Sequence, residues 1–151
     1  MIYIDTSAFY AVFDQDDANH QKAQKTWTEL VERREILVCN NYVLVETNAL
    51  LQHRFGIRVV IDLQKIIPLI QIEWITPELH RIAVESLLSA NLRNLSLVDC
   101  SSFATMRHLG IEKAFAFDHH FQQQGFDRLE PAASHAVSTV VDKAGFLNSF
   151  S

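Results

Sequence analysis

Four acidic residues stand in apolar company, where a carboxylate is costly to solvate: Asp5, Glu46, Asp99 and Asp118. Asp5 closes the run Ile2-Tyr3-Ile4 and precedes two hydroxyl residues, Thr6 and Ser7. Asp118 repeats the placement directly after Ala114-Phe115-Ala116-Phe117. Glu46 lies in YVLVETNALL, with Tyr42, Val43, Ala49 and Leu50 three and four residues away, which puts it on the apolar face of a helix. Asp99 lies in SLVDCSSFATM, with Phe103 and Met106 at helical spacing, so it is expected to point inward. Singly, each has an ordinary explanation. Asp5 could cap a helix, Asp99 could be a first-turn acid, Glu46 could pair with a buried arginine, and Asp118 could start a turn. Together they suggest one site. Carboxylates gathered at one place repel and raise one another's pKa, and a divalent, oxygen-seeking cation relieves that repulsion. Mg²⁺ needs few protein ligands and keeps several waters; Mn²⁺ accepts the same oxygen set.

The elements that would position these acids read as alternating strands and helices. Strands are expected over residues 2–5, 36–39, 71–75 and 114–117, with a short fifth over 127–129. Helices are expected over residues 8–13, 18–34 (capped by Asp16 or Asp17), from Asn40 or Asn41 to 54, over 59–70, from Pro77 onward, and over 99–109. Gly56 and Gly110 follow two of the helix ends, and Pro77 suits a first helical turn. The strands are apolar on consecutive residues, the pattern of a parallel sheet buried on both faces by helices. Right-handed crossovers would then gather the strand C-termini, and with them Asp5 and Asp118, along one edge, where open α/β sheets bind ligands.

Composition sets outer bounds. The 151 residues suffice for one domain with a sizeable core, and 48% apolar with 21% charged content is ordinary for a globular chain. A formal net charge of −5 argues against holding nucleic acid by bulk positive charge. Local cations would be needed, and Arg54, Arg58, Arg93 and Arg107 are candidates, each also readable as an ordinary solvated helix residue. Cys39 and Cys100 are far apart and lack zinc-type spacing, so both read as buried reduced thiols rather than ligands or nucleophiles. His119 and His120 could reach a phosphate or move a proton, or be idle surface residues. No apolar run reaches membrane-spanning length, and no secretory segment opens the chain, so a cytoplasmic protein is expected.

The ordered segments DTS, VETNALL, LVDCSSFATMRHLGI and AFAFDHHFQQQGF resemble the PIN-domain ribonucleases, and among them the VapC-type toxins of bacterial toxin–antitoxin pairs. DQDDANHQKA and IEWITPELHRIA fit the same family, and the similarity runs to about Pro131. The resemblance implies a three-layer α/β/α sandwich around a parallel sheet of four to five strands over residues 1–131, with residues 132–151 a helical or disordered tail. It implies an Mg²⁺- or Mn²⁺-dependent endoribonuclease in which Asp5, Glu46, Asp99 and Asp118 are the metal-site acids, with Thr6 or Ser7 a hydroxyl beside the first ion. Asp5 and Asp99 would hold an ion most directly, Glu46 would share it or orient its water, and Asp118 would hold a second ion or a water. One ion or two remains open. It also implies an RNA substrate, single-stranded or looped, a homodimer, and a small antitoxin whose apolar helix lies in a groove of the toxin. Two positions depart from the family pattern. Ala116 stands where a Thr or Ser is common, and His119 stands where an Arg is common.

Other readings are separable. A phosphatase with a covalent aspartate would want an acid at position 7, which is Ser7, and a receiver domain would want a lysine after a late strand, where Asp118-His119-His120 stands. A PIN-like domain that only binds RNA or a partner would keep RNA affinity in EDTA and cleave nothing.

Overall fold

The computed structural model describes residues 1–129, so the tail expected at 132–151 lies outside the described residues. Five strands, β1 (Ile2–Ile4), β2 (Leu37–Asn40), β3 (Ile70–Glu73), β4 (Lys113–Phe115) and β5 (Asp127–Arg128), form one sheet in the order β3-β2-β1-β4-β5. Every neighbouring pair is parallel. The helices are α1 (Thr6–Phe13), α2 (His20–Glu32), α3 (Asn41–Phe55), α4 (Ile57–Ile66), α5 (Pro77–Ala90), α6 (Leu97–Leu109) and α7 (His120–Gln123).

The strand order decides where a ligand can bind. From β1 the chain steps outward through β2 to β3; it then returns past β1 to β4 and continues to β5. With right-handed crossovers the outgoing helices cover one face and the returning helices the other. α1 packs against α2 and α3, α3 also against α4 and α6, and α5 against α6. The direction reverses between β1 and β4, and the crevice at the carboxyl ends of those two strands is the switch point where such sheets take ligands. Asp5 is the first residue beyond β1.

The core explains the consecutive apolar runs. Tyr3, Ile4, Phe9, Leu51, Leu63, Met106, Phe115 and Phe121 are fully buried, each such side chain contributing roughly 1.5–3 kcal/mol. Phe103 meets Phe121 edge-on at 5.0 Å and stacks on Phe126 at 5.9 Å, fastening α6 to the α7–β5 corner. No helix among the described residues is long and apolar enough to cross a membrane.

Several boundaries differ from the sequence expectation for local reasons. The second helix begins at His20 because Asp14 and Asp17 make turns ahead of it: Asp14 Oδ1 accepts from Asp16 N and Asp17 Oδ1 from Asn19 N. Asn40 ends β2 and caps α3 at once, its Oδ1 accepting from Val43 N at 2.9 Å. Gly56, at φ +81°, separates α3 from α4 as a one-residue break, so α4 starts two residues early. Pro68 turns the end of that helix into a 3₁₀ turn, Ile67–Leu69. The fourth strand stops at Phe115, not 117, so Asp118 does not follow its strand directly as Asp5 does.

Candidate active site

Asp5 is the N-cap of α1. Its Oδ2 accepts from Ser7 N at 3.0 Å and from Ser7 Oγ at 2.5 Å, while its backbone N–H donates to Phe115 O. Ser7 Oγ also accepts from Phe117 N at 3.0 Å. One hydroxyl therefore joins the acid at the tip of β1 to the chain leaving β4. Asp5 is buried, and its pKa is pushed up to about 6: burial is the main cause, the Ser7 bonds work against it, and the negative charge of Asp99 adds to the rise.

Asp99 sits at the third residue of α6 in a capping box. Ser96 Oγ accepts from Asp99 N, and Asp99 Oδ2 accepts from Ser96 N at 2.7 Å and Ser96 Oγ at 2.8 Å. A buried polar network seats this helix on the sheet. Asn40 Nδ2 reaches Ser101 Oγ and Thr105 Oγ1, and Tyr3 Oη donates to Ser102 Oγ. The first-turn role considered for Asp99 holds: its Oδ2 serves the helix, while its charge still reaches Asp5.

Glu46 differs from its expected placement. The buried stripe of α3 is Val43, Thr47 and Leu51, whereas Ala49 and Leu50 face solvent and Glu46 is half-buried on the flank of the stripe. The apolar residues around it in sequence were not evidence of an inward face. Among the described residues it has no ion-pair partner, so the buried-arginine explanation fails too. Its neighbour Thr47 lies 3.5 Å from Thr6 Oγ1, which brings this turn of α3 beside the residue after Asp5. Asp118 is one residue beyond Phe117, the partner of Ser7; its Oδ1 accepts from His120 N at 2.8 Å.

Asp5 and Asp99 are near enough to influence each other, and among the described residues the four acids do not close into a tight cage. Among the described residues the donors that come within 4.8 Å of one another as a group of three are Asp118, His119 and His120. The donor chemistry around Asp5 nevertheless fits a hard cation. It is all oxygen, and the leading carboxylate is buried with no cationic side chain paired to it among the described residues.

Sequence reading missed the bridging role of Ser7 and the place of Arg128, whose Nη1 donates to Phe117 O at 2.9 Å beside Asp118. Only the adjacency of β4 and β5 brings Arg128 there. Of the arginines expected at the rim, Arg107 is instead structural, bonding Gln124 Oε1 at 2.7 Å and lying over the Phe126 ring; Arg58 and Arg93 are exposed. The thiols read as expected: Cys39 is buried and pushed up to about 12 by burial, and Cys100 is raised for the same reason.

The family profile described as PIN domain matches residues 2–127, from the start of β1 to the first residue of β5. The curated relative "23S rRNA-specific endonuclease VapC20" of Mycobacterium tuberculosis is 35% identical over 133 residues, 87% of this chain and 99% of that protein. The chain belongs to the PIN-domain family of VapC-type endoribonuclease toxins. The crystal structure of VapC20, titled a sarcin–ricin loop cleaving toxin, agrees with the fold at a TM-score of 0.79 and 34% identity, covering 87% of this chain and 100% of that one. A PIN domain carries the five-stranded parallel sheet flanked by helices seen here, and PIN nucleases are generally metal-dependent.

Proposed function

We propose that the chain hydrolyses RNA phosphodiester bonds at the carboxyl edge of β1 and β4, with Asp5, Glu46, Asp99 and Asp118 as the acids and Mg²⁺ or Mn²⁺ as the cation. The observation that carries this reading is Asp5, a carboxylate buried at the switch point of the sheet, its pKa raised mainly by that burial, with the charge of Asp99 from another helix adding to the rise. Asp5 and Asp99 would hold the cation, each through the oxygen not used by Ser7 or Ser96. A bound divalent cation would supply charge neutralisation at the phosphate and lower the pKa of an attacking water. Ser7 fixes the Asp5 carboxylate and ties it to the β4 side of the crevice. Glu46 would orient water from the α3 side. Asp118 would act from the far side of the crevice.

The substrate we propose is a looped segment of ribosomal RNA, supported by 35% identity to a 23S rRNA-specific endonuclease along nearly its full length. Exposed, unstacked bases of a loop are readable by side chains in a way that a paired stem is not. Exposed apolar residues on the helices, Val45, Ile57, Ile61 and Leu88, support a protein partner. We assign to them the homodimer and the antitoxin helix of a toxin–antitoxin pair, acting in the cytoplasm.

The test is cleavage of an RNA hairpin carrying the sarcin–ricin loop, beside the same stem with a scrambled loop. Cutting is expected with Mg²⁺ or Mn²⁺, is stopped by EDTA, and is lost in Asp5→Asn and Asp99→Asn. Cleavage that persists in both variants would overturn the site. RNA binding with no cleavage under any divalent cation would leave the binding-only reading.

A further inference from the structure

We propose that Asp118, His119 and His120 form a separate cation site that takes an imidazole-preferring divalent transition ion, with Zn²⁺ as its type. The inference shares Asp118 with the acid set above but does not rest on the nuclease reading, because the three donors cluster whether or not Asp5 and Asp99 hold an ion.

The geometry carries it. One donor atom from each of these three residues lies within 4.8 Å of the others. The Nδ1 of His120 is 2.8 Å from Asp118 Oδ1, and the Nδ1 of His119 is 3.6 Å from the same oxygen. Metal–ligand bonds of about 2.0–2.1 Å in a tetrahedral site put neighbouring donors about 3.3 Å apart, and the two observed separations straddle that value. The His119 and His120 rings lie 4.4 Å apart, tilted by 31°.

The second observation is independent of the clustering. His120 is 5% exposed, and its Nδ1 has no hydrogen-bond partner despite the carboxylate oxygen 2.8 Å away, because the two are not aligned for a bond. A buried ring nitrogen held that close to an oxygen without an aligned proton between them is a costly arrangement. A cation accepting both lone pairs removes the cost. His119, with its side chain 61% exposed, opens the site to solvent, so an ion can enter and water or a phosphate oxygen can complete its coordination. Two imidazoles and one carboxylate make a set suited to zinc and its neighbours, whereas Mg²⁺ prefers oxygen throughout.

The full chain, stripped with EDTA and freed of chelator, is titrated with Co²⁺ as an optical probe and with Zn²⁺ in competition against a chromophoric chelator. Imidazole ¹⁵N spectra follow the ring nitrogens during the Zn²⁺ titration. One ion is expected at these three residues, with the Nδ1 signals of His119 and His120 shifting together. Substituting the exposed ligand, His119→Ala, is expected to weaken Zn²⁺ binding at least about tenfold, and Asp118→Asn likewise. Asp5→Asn is expected to keep full Zn²⁺ affinity, which separates this proposal from the nuclease reading. Shifts confined to other histidines, unchanged affinity in His119→Ala, or loss of binding in Asp5→Asn would each overturn it.

Discussion

Removing the charge of Asp5 should stabilise the metal-free protein. In the unfolded chain this carboxyl titrates near 3.8, and in the fold at about 6, so between those values the folded form holds a proton that the unfolded form has lost. The sign follows: the contribution is fully favourable below pH 3.8 and is lost as pH rises through 6. At pH 7 the ionised group costs on the order of 2–3 kcal/mol. Asp5→Asn, which keeps the helix cap, should therefore raise the metal-free Tm at pH 7 and leave it nearly unchanged at pH 3.5; thermal melts at the two pH values check this. The same variant should lose the stabilisation that Mg²⁺ gives the wild type, read as a Tm that no longer climbs with Mg²⁺ concentration. Ser7→Ala removes both the bond that lowers the Asp5 pKa and the bond to Phe117 N. Cleavage should fall by at least about tenfold, since removing a group that holds a metal ligand in place commonly costs that much. Ser7→Thr should restore part of it, and kinetics on the hairpin substrate measure both.

At the level of elements, α6 has two jobs joined by one residue. Its N-terminus is closed by Ser96 and Asp99, and its buried face is fixed by Asn40, Ser101, Ser102 and Thr105. Ser96→Ala should cost about 1 kcal/mol in urea denaturation and should lower cleavage further than stability alone explains, because the freed Asp99 carboxylate loses its orientation. Asn40→Ala should cost more, about 1–3 kcal/mol, by uncapping α3 and leaving buried hydroxyls of α6 with a lost partner. Much of this level was legible in the sequence. Consecutive apolar strands announced a parallel sheet, and Pro77, Gly56 and Gly110 marked helix ends correctly. Glu46 was misjudged because hydrophobic neighbours at helical spacing do not say which side of α3 is covered. Its buried stripe runs through Thr47, a polar residue that pattern reading discounts. Asp118 was set too close to its strand because Ala116 and Phe117 are apolar but lie beyond the ladder, where no partner strand continues.

Across the whole molecule, function follows from the point where strand order reverses. β1 and β4 are adjacent in the sheet but far apart in the chain, so Asp5 and the Phe117–Asp118 segment meet only once every element between them has folded. No local window of sequence could reveal the Ser7–Phe117 bond or the arrival of Arg128 beside it; both depend on pairings made across the sheet. The net charge of −5 makes the molecule as a whole repel RNA, so binding must come from a few local contacts. The salt dependence of RNA affinity should accordingly be shallow, with a log–log slope of only about −2 to −3 between 50 and 200 mM salt, where a basic RNA binder making many phosphate contacts is steeper.

The capping box of α6 has a bearing on descent. Any lineage freed from the need to cut RNA would find the buried charge of Asp5 a burden, while the oxygen that caps α1 and the Asp99 carboxylate that caps α6 would stay useful. Silent descendants of this chain should exchange Asp5 for an uncharged cap such as Asn early and hold Asp99 long after the chemistry has gone.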